Sequence, residues 1–335
     1  MLNHKGTQEI RTKRLFLRAV KESDYKDIYK YTSKDEVSKY VTWDTHKSIN
    51  DTKALCKMWA DEYKNGDKYH WAIVYDGKVI GNIEVVKIID TTAILGWQVD
   101  SLYWNKGIMT EAAAAVRDYM FCEIGADRIS ASYILENNGS GRVMQKIGMK
   151  QVSFEKYCES LDDSEEHISE INGIPIGFYS ITRDDWFEMN VKKIEVSQFD
   201  KCSDIWDMKN CPYTEQFRNE LIIGNRETYV LEANGKFVAE ASFVFSHPES
   251  GYTLPNNRIY LSRLIVKKEN RNTGLGKMML KYMISRAQEM EYSEITIGVD
   301  CDNYSAVHIY KKAGFTVFEN AQDEQGKYYK MELKI

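Results

Sequence analysis

Residues 271–276 read Arg271-Asn272-Thr273-Gly274-Leu275-Gly276, and they separate two segments of opposite grammar. Upstream, RIYLSRLIV (258–266) is rich in β-branched and large apolar residues and reads as a strand. Downstream, GLGKMMLKYMISRAQEM (274–290) is built mostly of strong helix formers. A glycine-rich turn into a helix leaves the first N–H groups unpaired at the positive end of the dipole. Glycine at 274 and 276 lets a ligand approach that backbone closely. The arrangement suits a diphosphate, although taken alone it is also an ordinary strand-to-helix turn. Two commoner phosphate motifs are excluded. A P-loop needs glycine where Arg271 stands and a hydroxyl where Met278 stands; a dinucleotide fingerprint needs glycine at Met279.

Outward from this turn, periodicity gives the second half an order of elements. A strand (KKIEVSQF, 192–199) precedes helices near 202–209 and 215–223 and a hairpin turning at Asn234-Gly235. The 258–266 strand and the long helix follow, then a strand (294–300), a helix ending at Gly314, and two last strands, FTVFEN and KYYKMELK. The first half has the same order. A strand at 15–20, helices near 22–32 and 49–63 and a hairpin at Asp76-Gly77 come first. A strand at 93–99, a helix from Met109 to Gly125, a strand at 128–134, a helix ending at Gly148 and a strand over KQVSFEKY (150–157) follow. The segment 176–186 closes the half. Val99 to Gly107 and Val266 to Gly274 are both 8 residues, and Asn137 to Gly148 and Asn303 to Gly314 are both 11. Gly107 and Gly274 lie 167 positions apart, half of the 335-residue chain. Matched spacings around matched residue types point to a duplicated domain, 1–190 and 191–335, each of mixed α/β class.

Composition narrows the function. A net charge of −5 provides no basic stripe for nucleic acid. No apolar run reaches the roughly 18 residues of a membrane span, and the polar N-terminus has no signal-peptide core. Six scattered cysteines and six histidines show no metal-ligand spacing, so a cytoplasmic protein with reduced thiols and no metal is expected.

Together the motifs resemble the GNAT (Gcn5-related N-acetyltransferase) family across nearly the whole chain, in tandem. Arg271, Gly274 and Gly276 match its signature R/Q-x-x-G-x-G/A, and Asn303, Tyr310, Lys312, Gly314 and Phe315 match its second motif. The first half resembles the RimJ/RimL-type branch through YWNKGIMTEA (103–112) and through Glu136, Asn137, Ser140, Arg142, Val143, Met144, Lys146 and Gly148. The resemblance implies two acyl-CoA N-acyltransferase folds, with fourth and fifth strands splayed apart, and acetyl transfer from acetyl-CoA to an amine. The pantetheine arm would pair with the open strand edge, at Leu264, Ile265 and Val266 and at Trp97, Gln98 and Val99. The diphosphate would meet Arg271, Asn272, Thr273, Gly274, Leu275, Gly276 and Lys277, or Trp104, Lys106, Gly107, Met109 and Thr110. Asn303 and Asn137 either cap helices or bond the pantetheine arm.

For chemistry, Tyr310 matches the family's general acid. In the first half Met144 stands there instead, and Ser140 takes the place near the sulfur that its branch uses. Met109 replaces the second glycine, so the second half is the expected catalyst. No carboxylate stands on either fourth strand, at Ile94, Leu95, Leu261 or Ser262; Glu84 and Glu240 on the third strands are the candidate bases, with a water chain as the alternative. The acidic run Glu159, Asp162, Asp163, Glu165 and Glu166 is either a solvated hairpin tip or an attractor for a cationic amine. Expected partners are acetyl-CoA and an amine on a small molecule or protein N-terminus, with neither nucleic acid nor membrane, for a monomer or homodimer. The rival class is an acyl-CoA-binding or scaffold protein whose domains have lost turnover.

Overall fold

A computed structural model describes residues 2–41, 43–159, 169–171, 173–324 and 326–335. The chain forms two compact units, Met1–Met189 and Asn190–Ile335. The first runs β1 (Ile10–Arg11), β2 (Phe16–Ala19), α1 (Tyr25–Thr32), α2 (Asp35–Ser38), α3 (Ile49–Glu62), β3 (Tyr69–Tyr75), β4 (Lys78–Ile89), β5 (Thr92–Val99), α4 (Ile108–Tyr119), β6 (Arg128–Ile134), α5 (Asn138–Lys146), β7 (Lys150–Val152), α6 (Phe154–Cys158), β8 (Glu170–Ile171), β9 (Ile174–Thr182) and α7 (Arg183–Asn190). The second runs β10 (Val191–Lys193), α8 (Thr214–Ile222), β11 (Arg226–Ala233), β12 (Lys236–Val244), β13 (Arg258–Val266), α9 (Leu275–Glu289), β14 (Glu294–Asp300), α10 (Tyr304–Lys312), β15 (Thr316–Asp323) and β16 (Gly326–Lys334), with a 3₁₀ segment at Val196–Asp204 between β10 and α8.

Each unit is one mixed sheet. The first has strand order β1-β2-β3-β4-β5-β6-β9-β7, with β8 paired to β9; the second has β10-β11-β12-β13-β14-β16-β15. Among the described residues, one strand pair in each is parallel, β5 with β6 and β13 with β14. Both hairpins turn where the sequence places them, with Asp76 and Gly77, and Asn234 and Gly235, all at positive φ. In the first unit α1 and α3 cover one face through a cluster that includes Ile28, Tyr31, Cys56, Trp59 and Ala72. Ala112, Ala113 and Ala115 of α4 are buried, small enough for close helix packing. In the second unit α9 packs on β12 and β13, while Phe199, Cys202, Val230 and Phe237 form a separate cluster. Among the described residues no helix is long and apolar enough to cross a membrane.

Two expected strands are shorter and give way to helical turns. KQVSFEKY is strand only through Val152. The Ser153 hydroxyl then accepts the Lys156 N–H at 3.2 Å and starts α6, whose Phe154 and Tyr157 pack together on Phe178. KKIEVSQF is strand only through Lys193, with a last backbone bond from the Ile194 N–H to Thr228 O at 2.9 Å; Gln198 Oε1 accepts the Glu195 N–H at 3.1 Å, and the chain winds into the 3₁₀ segment that buries Phe199 and Cys202. That segment takes the place of the helix expected near 202–209. The segment 176–186 divides between β9 and α7, and Trp186 anchors α7 by donating to Asp118 of α4 at 2.9 Å. Of the acidic run, only Glu159 lies within the described residues.

Candidate active site

The parallel pairs are short. β5 and β6 pair through Thr92, Ala93 and Ile94, and β13 and β14 through Arg258, Ile259 and Tyr260. Beyond these points the strands separate, so the last residues of β5 and β13 carry ladder groups with no strand on that side. A bulge accompanies each separation: β4 shifts register between Val85 and Lys87, and β13 accommodates Ser262 as an extra residue against β12. The stretches Trp97, Gln98, Val99 and Leu264, Ile265, Val266 stand on these open edges.

The turns after the open edges repeat one backbone. Asn105 and Gly107 have φ of 58° and 73°; Asn272 and Gly274 have 64° and 92°. All four lie in the left-handed region that asparagine and glycine tolerate best. Helical pairing in the second unit begins with the Lys277 and Met278 N–H groups on Gly274 O, so the Leu275 and Gly276 N–H groups precede the ladder. The residues that differ at the signature's first position do one job. Trp104 Nε1 donates to Val99 O at 2.9 Å, and Arg271 Nε donates to Val266 O at 3.0 Å. Each ties the turn to the last carbonyl of its open strand, which explains how Trp104 replaces arginine without altering the turn.

In the first unit these elements enclose a cleft of about 450 Å³. Trp97, Gln98, Val99, Trp104, Gly107, Met109, Thr110, Asn137 and Ser140 line it, whereas Lys106 does not. Lys106 is exposed, and its carbonyl accepts from Arg14 Nη1 at 2.9 Å. The α2 region contributes Val37 and Tyr40, which sequence reading did not single out. Gln98 Oε1 is enclosed in this wall and no described residue donates to it. An orphaned acceptor beside an open strand fits an amide-bearing chain such as pantetheine. Met109, 6% exposed, fills space where the second unit has Gly276.

Asn137 and Asn303 both cap the following helix: their Oδ1 atoms accept the Ser140 N–H at 3.3 Å and the Ala306 N–H at 3.2 Å. Their amide nitrogens remain for a ligand. Ser140 is half-buried in the cleft wall, and Met144 faces the core at 1% exposure. Tyr310 is 8% exposed and packs on Phe315, with ring centres 5.7 Å apart. Its phenol lies within electrostatic range of Tyr260, where β13 leaves β14. Burial pushes its hydroxyl up to about 12, so it remains protonated at neutral pH.

The candidate bases differ in setting. Glu84 stands opposite His70 and Gly96 in the sheet. Burial pushes its carboxyl up to about 7, although 36% of its side chain remains exposed. The His70 imidazole 3.4 Å away is held neutral by burial, its value pulled down to about 3. Asn82 Nδ2 donates to His70 Nε2 at 3.1 Å, which leaves the ring proton on Nδ1 facing Glu84; the Tyr31 hydroxyl donates to Asn82 Oδ1 at 3.1 Å. Sequence reading missed this chain, because its members are joined only by strand register and by α1. Glu240 is 1% exposed, with Oε2 accepting from Trp206 Nε1 at 2.6 Å, and Oε1 accepting from Ser242 Oγ at 3.5 Å and lying 3.3 Å from Arg263 Nε as an ion pair. Both oxygens thus accept a hydrogen bond, and the carboxylate holds Trp206 and balances the charge of Arg263.

Family models match both halves: "Acetyltransferase (GNAT) domain" over residues 14–150 and "Acetyltransferase (GNAT) family" over residues 192–315. The chain is 35% identical over 150 residues to "Uncharacterized N-acetyltransferase YnaD" of Bacillus subtilis (strain 168), covering 44% of this chain and 86% of that protein. It is 30% identical over 132 residues to "Probable N-acetyltransferase YjcK" of the same strain, covering 38% and 70%. A crystal structure of an acetyltransferase (GNAT family) from Bacillus anthracis matches at 27% identity and TM-score 0.43, over 53% of this chain and 99% of that one.

Proposed function

Because the chain belongs to the GNAT acetyltransferase family, with one such domain in each half, we propose that its second unit moves an acetyl group from acetyl-CoA to a primary amine, on a small molecule or a protein N-terminus. The observation that carries this reading is Tyr310, a buried, protonated phenol within electrostatic range of Tyr260, the last residue of β13 that pairs with β14. The amine nitrogen attacks the thioester carbonyl; a C–N bond forms, the C–S bond breaks, and the departing thiolate takes the Tyr310 proton. The proton shed by the amine leaves through water, since Glu240 has both oxygens engaged. Leu264, Ile265 and Val266 pair with the pantetheine arm, and a backbone N–H there polarises the carbonyl. The turn from Arg271 to Lys277 receives the diphosphate, and Asn303 Nδ2 bonds the arm.

The first unit binds acetyl-CoA in its 450 Å³ cleft. A second reading makes it the working catalyst, favoured by Ser140 in the cleft wall and by Glu84, whose value near 7 suits a base at neutral pH. The test uses the full chain and measures CoA release with polyamines, aminosugars, amino acids and peptides with free N-termini. Gly107→Leu is expected to keep more of the activity than Gly274→Leu. The opposite ranking establishes the first unit as the catalyst. Absence of release by the wild-type chain with every amine favours an acyl-CoA-binding protein.

A further inference from the structure

Arg263 stands on the free stretch of β13, one residue before Leu264 and three after Tyr260. By register it shares a sheet face with Ser242, and it meets the rings that cover that face. Its guanidinium carbon lies 3.9 Å from the centre of Trp206 and 5.4 Å from that of Phe217. Only 15% of the side chain is exposed. Nε is enclosed and has no hydrogen-bond partner; its 3.3 Å approach to Glu240 Oε1 lacks hydrogen-bond alignment. Among the described residues none accepts a hydrogen bond from either Nη.

The other enclosed arginines on this sheet behave differently. Arg226 donates to Glu220 and to Ser262 Oγ, both at 2.8 Å. Arg258 donates to Glu294, Glu332 and the Gly251 carbonyl. Arg263 alone among these three offers a rigid fork of five donors and spends none. Nε alone is enclosed without an acceptor; the Nη groups have no acceptor among the described residues and stand open to one that a ligand supplies. The planar fork matches a carboxylate bidentately. Glu240 is already held by Trp206, so it balances the guanidinium charge while leaving the donors unspent.

We propose that the second unit's acceptor is an amine with a carboxylate beside it, an amino-acid-type substrate, and that Arg263 anchors the carboxylate. This rests on the reading of the second unit as a transferase. An α-amine is two bonds from its carboxylate carbon, and a strand advances roughly 3.3 Å per residue. Arg263 and Leu264 are adjacent on the same free stretch of β13, so in that reading the carboxylate anchor and the thioester belong to one short segment of the strand.

The experiment has two arms, both on the full chain. In the first, CoA release is measured with matched pairs: glycine and methylamine, phenylalanine and phenethylamine, lysine and cadaverine. The carboxylate-bearing member is expected to have the higher kcat/KM by at least about tenfold, and Arg263→Gln to bring the ratio near one. Arg263→Lys, which keeps charge without the fork, is expected to restore part of it, and it replaces the Gln variant if the latter loses its thermal transition. Equal rates within the wild-type pairs, or an unchanged ratio in the variants, overturn the proposal. The second arm needs no turnover: calorimetry of the CoA-loaded chain with N-acetylglycine and with N-methylacetamide. Tighter binding of N-acetylglycine by at least about tenfold, lost in the Arg263 variants, supports the anchor; equal binding overturns it. If no amine releases CoA, the transferase reading fails and this binding arm decides the anchor by itself.

Discussion

Gly274 and Gly276 sit two residues apart in one turn, yet the structure separates their reasons for being glycine. Gly274 has φ of 92°, where an L side chain is strained. Gly276 lies outside that region, and a Cβ built there meets only Val266 Cγ2 at 3.7 Å and Leu264 Cδ2 at 3.9 Å, ordinary contacts. Gly274→Ala therefore forces a left-handed alanine, at a cost of about 1–2 kcal/mol. Gly276→Ala adds a methyl group inside α9 and is expected to stabilise by about 0.5–1 kcal/mol. For a unit of this size, 1 kcal/mol moves Tm by roughly 3 °C. The second unit's transition should thus fall by about 3–6 °C in the first variant and rise by about 1–3 °C in the second. Gly276→Leu keeps the helix but sends a branched side chain into the space where the diphosphate must approach. CoA affinity is expected to drop at least about tenfold, or 1.4 kcal/mol, without loss of Tm. Differential scanning calorimetry of the full chain, with and without CoA, reads both quantities. A lower Tm in Gly276→Ala, or wild-type CoA affinity in Gly276→Leu, refutes the assignment of this glycine to a ligand rather than to the fold.

Two further outcomes follow from the titratable groups. Tyr310→Phe retains the ring, so acetyl-CoA affinity should hold while kcat falls at least about tenfold where chemistry limits turnover; wild-type kcat there would return Tyr310 to core packing. His70 stays neutral in the fold down to about 3, whereas the unfolded chain protonates near 6.5, so stability is lost as pH falls through that window. Glu84 acts oppositely: its carboxyl stays protonated up to about 7 against 4.5 unfolded, so stability is lost as pH rises through that range. In Glu84→Gln the opposing Glu84 effect is gone, while His70 and, in the same direction, the partly buried His46 remain, so the first unit should lose at least about 2 kcal/mol between pH 7 and pH 5. Chemical denaturation at the two pH values checks this, and equal stability would contradict a buried neutral imidazole.

The duplicated order of elements, the two hairpins and both glycine turns were legible in the sequence because each rests on local chemistry. Helix formers, Asp-Gly and Asn-Gly pairs and left-handed glycines act within a few residues. The same locality misled at 153–157 and 194–199. Alternating apolar residues read as strand there, while Ser153 and the Glu195–Gln198 exchange began helical turns that bury Tyr157 beside a half-buried Phe154, and Phe199 with Cys202. Other features had no local signal at all. The common task of Trp104 and Arg271 appears only when the carbonyls of Val99 and Val266 come within reach. His70, Asn82 and Glu84 become one polar chain only because strand register aligns them. Arg263 is an unremarkable cation within a strand pattern until Trp206, Phe217 and Glu240 enclose it and leave its donors unspent. Propensity and turn chemistry are properties of neighbours along the chain, so the sequence by itself determined the order of the main elements, their duplication and the family. Burial, register and hydrogen-bond satisfaction are properties of neighbours in space, so the ionisation of Glu84 and the unspent donors of Arg263 were decided only by the tertiary structure.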